Sequence, residues 1–202
     1  MLNFFNIAIV YYCRMRDEAI LDTEFAILGL LDEVGPASGY RVLTLVAERG
    51  MNEWAGLSAS SVYNNLRKLC RSGLAASVPD LEKNGRGPAG SLYSLSAEGR
   101  SVLRRHLGEA LVHAKEQSPA FKLALAFSGA LSAKRLAALL DQRLAVLRVR
   151  CAQVEKVRRP LQDSGKEPRS ATLLFEYVLQ GLAHELRMAE HLAQISINGD
   201  KS

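Results

Sequence analysis

The chain has 202 residues, 48% of them hydrophobic, which is the composition of a globular protein with one or two domains. Its longest apolar runs are shorter than the ~20 residues that a membrane-spanning helix needs, so no membrane partner is expected. Lysine and arginine outnumber aspartate and glutamate by 26 to 21, and the three cysteines are too far apart in sequence for a disulfide framework or a CxxC metal site.

The positive charge is unevenly distributed. From Ile20 to Ala110 there are 10 basic and 10 acidic residues, whereas from Leu111 to Ser202 there are 14 basic and 9 acidic residues. Net charge alone therefore does not indicate a nucleic-acid partner, and any such prediction depends on the local placement of the cations.

Residues 1–19 include the apolar run LNFFNIAIVYYC, which resembles the core of a signal peptide. No basic residue precedes this run and no small-residue cleavage site follows it. Three interpretations remain: a disordered leader, an extra helix packed on a partner, or a segment upstream of a start codon at Met15. Each of them predicts a soluble, cytoplasmic protein.

Two helices are predicted next. Asp22 or Thr23 caps the first, its apolar residues recur at helical spacing, and Gly35-Pro36 ends it. The second covers Tyr40 to Arg49 and ends at Gly50. The segment MNEWAGL that follows is predicted to be a loop.

A third helix begins after Ser58, a good N-cap residue. Val62, Leu66 and Leu69 are spaced four and three apart, so they share the face that packs on the core. The other face is polar, with short side chains suited to base edges and longer ones suited to phosphates. Its residues are Ser60, Ser61, Tyr63, Asn64, Arg67, Lys68 and Arg71.

A β-hairpin is predicted after this helix, because Leu74, Ala76 and Val78 alternate with polar residues and a loop rich in glycine follows. Lys83 and Arg86 lie at its tip. A solvated loop with ordinary surface charge is the alternative. A polar-faced helix followed by a basic hairpin favours contact with DNA.

Four helical segments make up the rest. Ser96 caps a fourth helix, and Ser118-Pro119 begins a short apolar segment. A long helix runs from Ser132 to about Arg159, where Pro160 halts it, and a last helix covers Ser170 to Ile195.

The two long helices carry leucine-rich stripes with spacings of three and four, as in coiled coils. Helices this long and one-sided need a large partner surface, so we predict a homodimer. The predicted dimerisation residues are Leu136, Leu140, Leu144, Leu147, Leu174, Val178, Leu182 and Leu186.

No catalytic, metal or cofactor site is indicated, and an enzyme is not expected, because the chain lacks GxSxG, HExxH and phosphate-loop motifs. His106 and His113 are seven residues apart, as are His184 and His191. Two helical turns span ~11 Å, too far for one metal ion to bridge a pair. Histidines on helix faces are the simpler interpretation.

Other features have two interpretations each. Cys70 is a redox sensor or an ordinary buried cysteine. Phe121–Phe127 and Trp54 bind a small-molecule effector or pack in the core. A group of cations on the long helix forms a solvated face, or contacts DNA backbone or an anionic effector. That group is Arg143, Arg148, Arg150, Lys156, Arg158 and Arg159.

Three segments resemble the winged helix-turn-helix of PadR-type transcriptional regulators. They are ILGLLDEVGPASGYRVLTLVAERG, LSASSVYNNLRKLCRSGL and GRGPAGSLYSLSAEGR, and they cover roughly Asp22 to Leu107. The remaining helices resemble that family's C-terminal dimerisation domain less specifically. In two places the chain departs from the family, with Asn64 where proline is common and fewer cations in the wing.

The resemblance implies a mainly α fold with a small β-hairpin wing. The expected divisions are a leader at 1–19, a DNA-binding domain at 20–96, a helical dimerisation domain at 97–197 and a tail at 198–202. The implied function is a transcriptional regulator, specifically a repressor, that binds double-stranded DNA as a homodimer on an inverted repeat, with a small-molecule effector as a further partner. A winged-helix scaffold that binds protein is the alternative. The resemblance places these residues at the DNA: Tyr40, Ser58, Ser60, Ser61, Tyr63, Asn64, Arg67 and Lys68, with Lys83 and Arg86 in the wing.

Overall fold

The computed structural model describes residues 20–80, 90–115, 117–165 and 167–198. They form eight α-helices, one three-stranded sheet and a 3-10 turn at Ser128–Ala130, so the predicted mainly α fold with a small wing is confirmed. In chain order the elements are α1 Asp22–Val34, β1 Ala37–Ser38, α2 Gly39–Glu48, α3 Met51–Trp54, α4 Ala59–Arg71, β2 Ala75–Asp80, β3 Gly90–Leu95, α5 Ala97–His113, α6 Pro119–Ala126, α7 Ala133–Asp163 and α8 Arg169–Asn198.

The sheet is antiparallel, in the order β1-β3-β2. The hairpin of β2 and β3 pairs Ala75 with Leu95 at one end and Asp80 with Gly90 at the other. Strand β1 was not predicted, because two residues are too few to display a period of two. The alternation of Leu74, Ala76 and Val78 correctly predicts strand β2. It predicts the wrong buried face, because Ala75 is buried and Val78 is exposed.

Serine side chains set the start of most helices. In five cases the serine Oγ accepts the backbone N–H three residues later, at 2.9–3.3 Å, an interaction typically worth about 1 kcal/mol. Helix α1 begins differently. Leu21 occupies its N-cap, and the Leu21 amide donates to Glu24 Oε2 at 3.2 Å, so the predicted caps Asp22 and Thr23 are wrong. The capping serines are Ser38, Ser58, Ser96, Ser118 and Ser132.

Two further sequence predictions are wrong. The predicted loop MNEWAGL contains the short helix α3, which begins after Gly50 in the left-handed region at φ 59°. Pro160 does not halt α7, which continues to Asp163. Proline removes one donor, but Ser164 N still donates to the Pro160 carbonyl at 3.3 Å, and Leu161 packs on the core.

The protein has two apolar clusters. The first includes Phe25, Leu66 and Leu107 and continues through α5 and α6 as far as Leu139 at the start of α7. The second lies between α7 and α8 and includes Leu147 and Phe175. The helices that follow the wing therefore extend the core of the winged domain before the long helical pair begins.

Most of the predicted dimerisation residues are buried or partly buried within the same chain. Leu140, Leu144, Leu147 and Leu182 are buried, and Leu136, Val178 and Leu186 are partly buried. On α8 the inward stripe runs through Ala171, Phe175 and Leu182, so Leu174 lies outside it and is 44% exposed.

Arg143 is buried where the two clusters meet, with 1% of its surface exposed. Its Nη1 donates to the carbonyl oxygens of Ala114 at 2.7 Å and Leu111 at 3.3 Å, at the end of α5. Its Nη2 donates to Glu185 Oε2 on α8 at 2.8 Å. The guanidinium carbon lies 4.2 Å from the ring centroid of Phe121 on α6. The prediction that Arg143 belongs to a solvated face is wrong.

Other cations of α7 form ion pairs within the helical pair. Arg148 lies 3.5 Å from Glu190, and Arg158 lies 3.1 Å from Glu167 and 2.7 Å from Glu176. Arg148 and Arg158 belong to the group of cations for which the sequence left open a contact with DNA backbone or with an anionic effector. In the structure, both are engaged in ion pairs within the chain.

His106 packs edge-on against Phe25 with ring centroids 4.6 Å apart, and burial lowers the pKa of its imidazole. Among residues 20–80, 90–115, 117–165 and 167–198, no cluster of three or more His, Cys, Asp or Glu side chains is arranged to hold a metal ion. Over the same residues, no helix combines the length and apolar character needed to cross a membrane.

Candidate nucleic-acid interface

Helix α4 presents a polar face because its apolar face is fixed in the core. Val62, Leu66 and Leu69 are buried, as the spacing predicts, and Asn65 is buried beside them. Ser60, Asn64, Arg67 and Arg71 are exposed on the other side. The exposed residues lie three and four apart, so they share one surface of the helix.

The first turn of α4 is a reciprocal capping box. Ser61 N donates to Ser58 Oγ at 3.1 Å, and Ser58 N donates to Ser61 Oγ at 2.8 Å. The Ser60 hydroxyl lies 3.0 Å from Ser58 Oγ. Ser58 and Ser61 thus fix the helix start through their own hydrogen bonds, whereas Ser60 is exposed and lies outside the capping box.

The Gly39-Tyr40 pair has a steric explanation. A Cβ on Gly39 would lie 2.6 Å from Tyr63 Cε1, so only glycine leaves room for the Tyr63 ring against the start of α2. Tyr63 is consequently half-buried, whereas Tyr40 is 74% exposed at the same helix end. Of the two tyrosines predicted at DNA, Tyr40 is the freely accessible one.

Lys68 forms an ion pair that the sequence did not indicate. Its Nζ contacts Glu24 Oε1 on α1, and the Glu24 side chain is only 7% exposed. The other Glu24 oxygen accepts the Leu21 amide. One buried carboxylate thus joins the start of α1 to the polar helix, and Lys68 is directed toward α1.

We expect Lys68→Ala to lower the free energy of unfolding by about 1–3 kcal/mol, because it leaves a buried carboxylate without its cation. We expect it to leave the salt dependence of DNA binding unchanged. Urea denaturation and duplex titrations at several salt concentrations measure both quantities. Arg67→Ala is the matched control, since Arg67 is adjacent and exposed. A reduced salt slope in Lys68→Ala, with unchanged stability, would show that Lys68 leaves Glu24 to contact DNA.

The hairpin is attached to the end of α4 through the YSLSAEG segment. Ser96 Oγ donates to the carbonyl oxygens of Gly73 at 2.8 Å and Leu74 at 2.9 Å. Gly99 lies directly on the Leu74 carbonyl, where a Cβ would overlap it. These contacts fix the orientation of the sheet relative to α4. The predicted wing cations Lys83 and Arg86 lie outside the described residues.

A groove separates α4 from the sheet and has a volume of about 420 Å³. We call it the helix–sheet groove. Ser77 and Tyr93 were not among the predicted site residues, whereas Arg71 was predicted on the polar face of this helix, where it continues the spacing of Asn64 and Arg67. The helix–sheet groove is lined by Asn64, Arg67, Cys70, Arg71, Ser77 and Tyr93.

No family model matches the chain. No curated protein matches it either. Among solved structures, Bacillus subtilis PadR in complex with operator DNA is 20% identical, with a TM-score of 0.40 over 89% of this chain and 99% of that one. The same regulator in complex with p-coumaric acid is 20% identical, with a TM-score of 0.36 over 90% and 98%. A PadR-like transcriptional regulator from Bacillus cereus is 15% identical, with a TM-score of 0.36 over 90% and 99%. The chain is thus similar to PadR and PadR-like proteins over most of its length.

Proposed function

We propose that the chain is a PadR-type transcriptional regulator that binds double-stranded DNA in a sequence-specific manner. One observation carries the proposal. The exposed surface of α4 bears Ser60, Asn64, Arg67 and Arg71, while its other face is fixed in the core and its far end is attached to a β-hairpin. A helix of this kind inserts its polar face into the major groove, where amide side chains bind base edges and guanidinium groups bind guanine or phosphate.

We further propose that the protein acts as a homodimer on an inverted repeat. Leu173, Leu174 and Tyr177 form an exposed apolar surface on α8, with Tyr177 79% exposed, although α7 already covers the opposite face of this helix. Contiguous exposed apolar surface of this kind commonly marks a protein interface. A second copy related by a two-fold axis would cover it and would present two α4 helices to successive half-sites.

Repression and response to a small-molecule effector belong to the same proposal, as the sequence resemblance implies. Phe121 and Phe127, the aromatic ends of the segment considered for an effector, are buried in the first apolar cluster. A ligand there would have to displace core side chains. Trp54 is partly buried, and its Nε1 donates to the Arg49 carbonyl at 3.0 Å.

Titration with duplexes tiled across the region upstream of the gene tests the regulator proposal. We expect one fragment to bind with an affinity that falls on the order of 10³-fold between 50 and 200 mM salt. Arg67→Gln should weaken this complex, whereas Arg148→Gln on α7 should not. Sedimentation of the same complex should give a mass of two chains per operator. If no upstream fragment is preferred at any salt concentration, the chain is better explained as a winged-helix scaffold that binds protein.

A further inference from the structure

We propose that the helix–sheet groove binds a phosphate group of the DNA backbone, with Arg67 and Arg71 as its counter-charges and Ser77 and Tyr93 as neutral donors. This inference rests on the proposed function. It extends that function to Ser77 and Tyr93 of the sheet, and it assigns Arg71 a defined ligand group. It also divides α4 into two parts, a first half that reads bases and a second half that binds backbone.

The groove brings together side chains from two elements. Asn64, Arg67 and Arg71 lie three and four residues apart on α4, so they follow one another along the same wall. Ser77 on β2 and Tyr93 on β3 are directly paired across the hairpin and form the facing wall. Cys70 of α4 also lines the groove.

The charge of the groove favours an anion. Two arginines line it and no carboxylate does. In the described part of the chain no ion pair is found for Arg67 or Arg71, although seven other arginines and Lys68 form one. Exposed guanidinium groups without an internal partner remain available to a phosphate, which they bind in bidentate geometry.

The shape of the groove favours a backbone phosphate over a free small molecule. Small-molecule sites are largely enclosed and apolar. This groove is partly open to solvent and carries two arginines, and it lies on the same surface of α4 as Asn64. A duplex that receives Asn64 in its major groove therefore brings a flanking phosphate to Arg67 and Arg71.

Cys70 provides a reporter within the groove. Burial raises the pKa of its thiol, so alkylation by N-ethylmaleimide is best followed near pH 8. With Cys13 and Cys151 replaced by serine, Cys70 is the sole cysteine. A bound DNA strand should cover it and slow its alkylation at least tenfold, with operator and non-operator duplex alike once each is saturating.

The affinity test compares Arg71→Gln and Tyr93→Phe with Arg148→Gln, a cation outside the groove, after thermal melts show that all are folded. We expect Arg71→Gln to weaken operator and non-operator duplexes about equally, by about tenfold, and to reduce the salt slope by about 0.9. Tyr93→Phe should weaken both about threefold without changing the slope.

The outcomes separate the two proposals. A wild-type protein that binds no duplex overturns the regulator proposal, and this inference with it. A wild-type protein that binds its operator, while Arg71→Gln keeps the same affinity and slope and Cys70 is alkylated at an unchanged rate, overturns this inference alone. So does protection of Cys70 by inorganic phosphate but not by duplex, because the groove would then be a site for small anions.

Discussion

Replacing Arg143 with alanine is expected to lower the free energy of unfolding by about 3–5 kcal/mol, a large part of the stability of a typical domain. Arg143 donates to Leu111, Ala114 and Glu185, and its surface is almost fully removed from water. Alanine would leave two carbonyl oxygens at the end of α5 without this donor. It would also leave the Glu185 carboxylate, 20% exposed, without its cation.

Urea denaturation measures the loss, and Arg148→Ala is the matched control on the same helix. Arg148 also pairs with a glutamate of α8, but its side chain is 64% exposed, so its removal should cost at most about 1 kcal/mol. The double variant Arg143→Met with Glu185→Leu should recover much of the lost stability, because it removes both charges together. Equal stabilities for Arg143→Ala and Arg148→Ala would show that the buried arginine is not a structural requirement.

The position of Arg143 also connects stability to DNA recognition. It joins the end of α5 and Phe121 of α6, which belong to the core of the winged domain, to Glu185 in the helical pair. In the proposed dimer these helices set the distance between the two copies of α4. A loosened junction should therefore weaken binding to the two-half-site operator more than binding to a single half-site.

Local sequence signals predicted much of the fold. Serine caps fix five helix starts, and the apolar spacing of Val62, Leu66 and Leu69 identified the buried face of α4 correctly. Both signals depend on residues within a few positions of each other, so one sequence is enough to detect them.

The features that the sequence did not predict depend on residues distant along the chain. Glu24 replaces the expected cap of α1 because it is held by Lys68, 44 positions later. Arg143 is buried because carbonyl groups of α5 and the Glu185 carboxylate meet it there. The groove is formed only when β2 and β3 fold back on α4, so Ser77 and Tyr93 carry no local signal of their role.

Gly99→Ala is expected to lower the free energy of unfolding by about 1–3 kcal/mol, although alanine is intrinsically the better helix residue by about 1 kcal/mol. A Cβ at this position of α5 would overlap the Leu74 carbonyl oxygen and crowd Leu95 Cδ1 at 2.8 Å. The carbonyl belongs to the backbone and accepts hydrogen bonds from both Ser96 N and Ser96 Oγ, so it cannot move away alone.

Gly108→Ala separates this steric effect from helix propensity. Gly108 lies in the same helix, and its Cβ would meet only Leu139 at 3.5 Å, an ordinary contact distance. That variant should gain up to about 1 kcal/mol in the same denaturation experiment. Because Leu74 leads directly into β2, relief of the overlap in Gly99→Ala requires the hairpin to shift away from α5 and to change the groove beside α4. We therefore expect Gly99→Ala to weaken DNA binding even at temperatures where it is fully folded, and Gly108→Ala to leave DNA binding unchanged. Opposite signs of the two stability changes would support this account of the YSLSAEG segment, whereas a stabilised Gly99→Ala would contradict it.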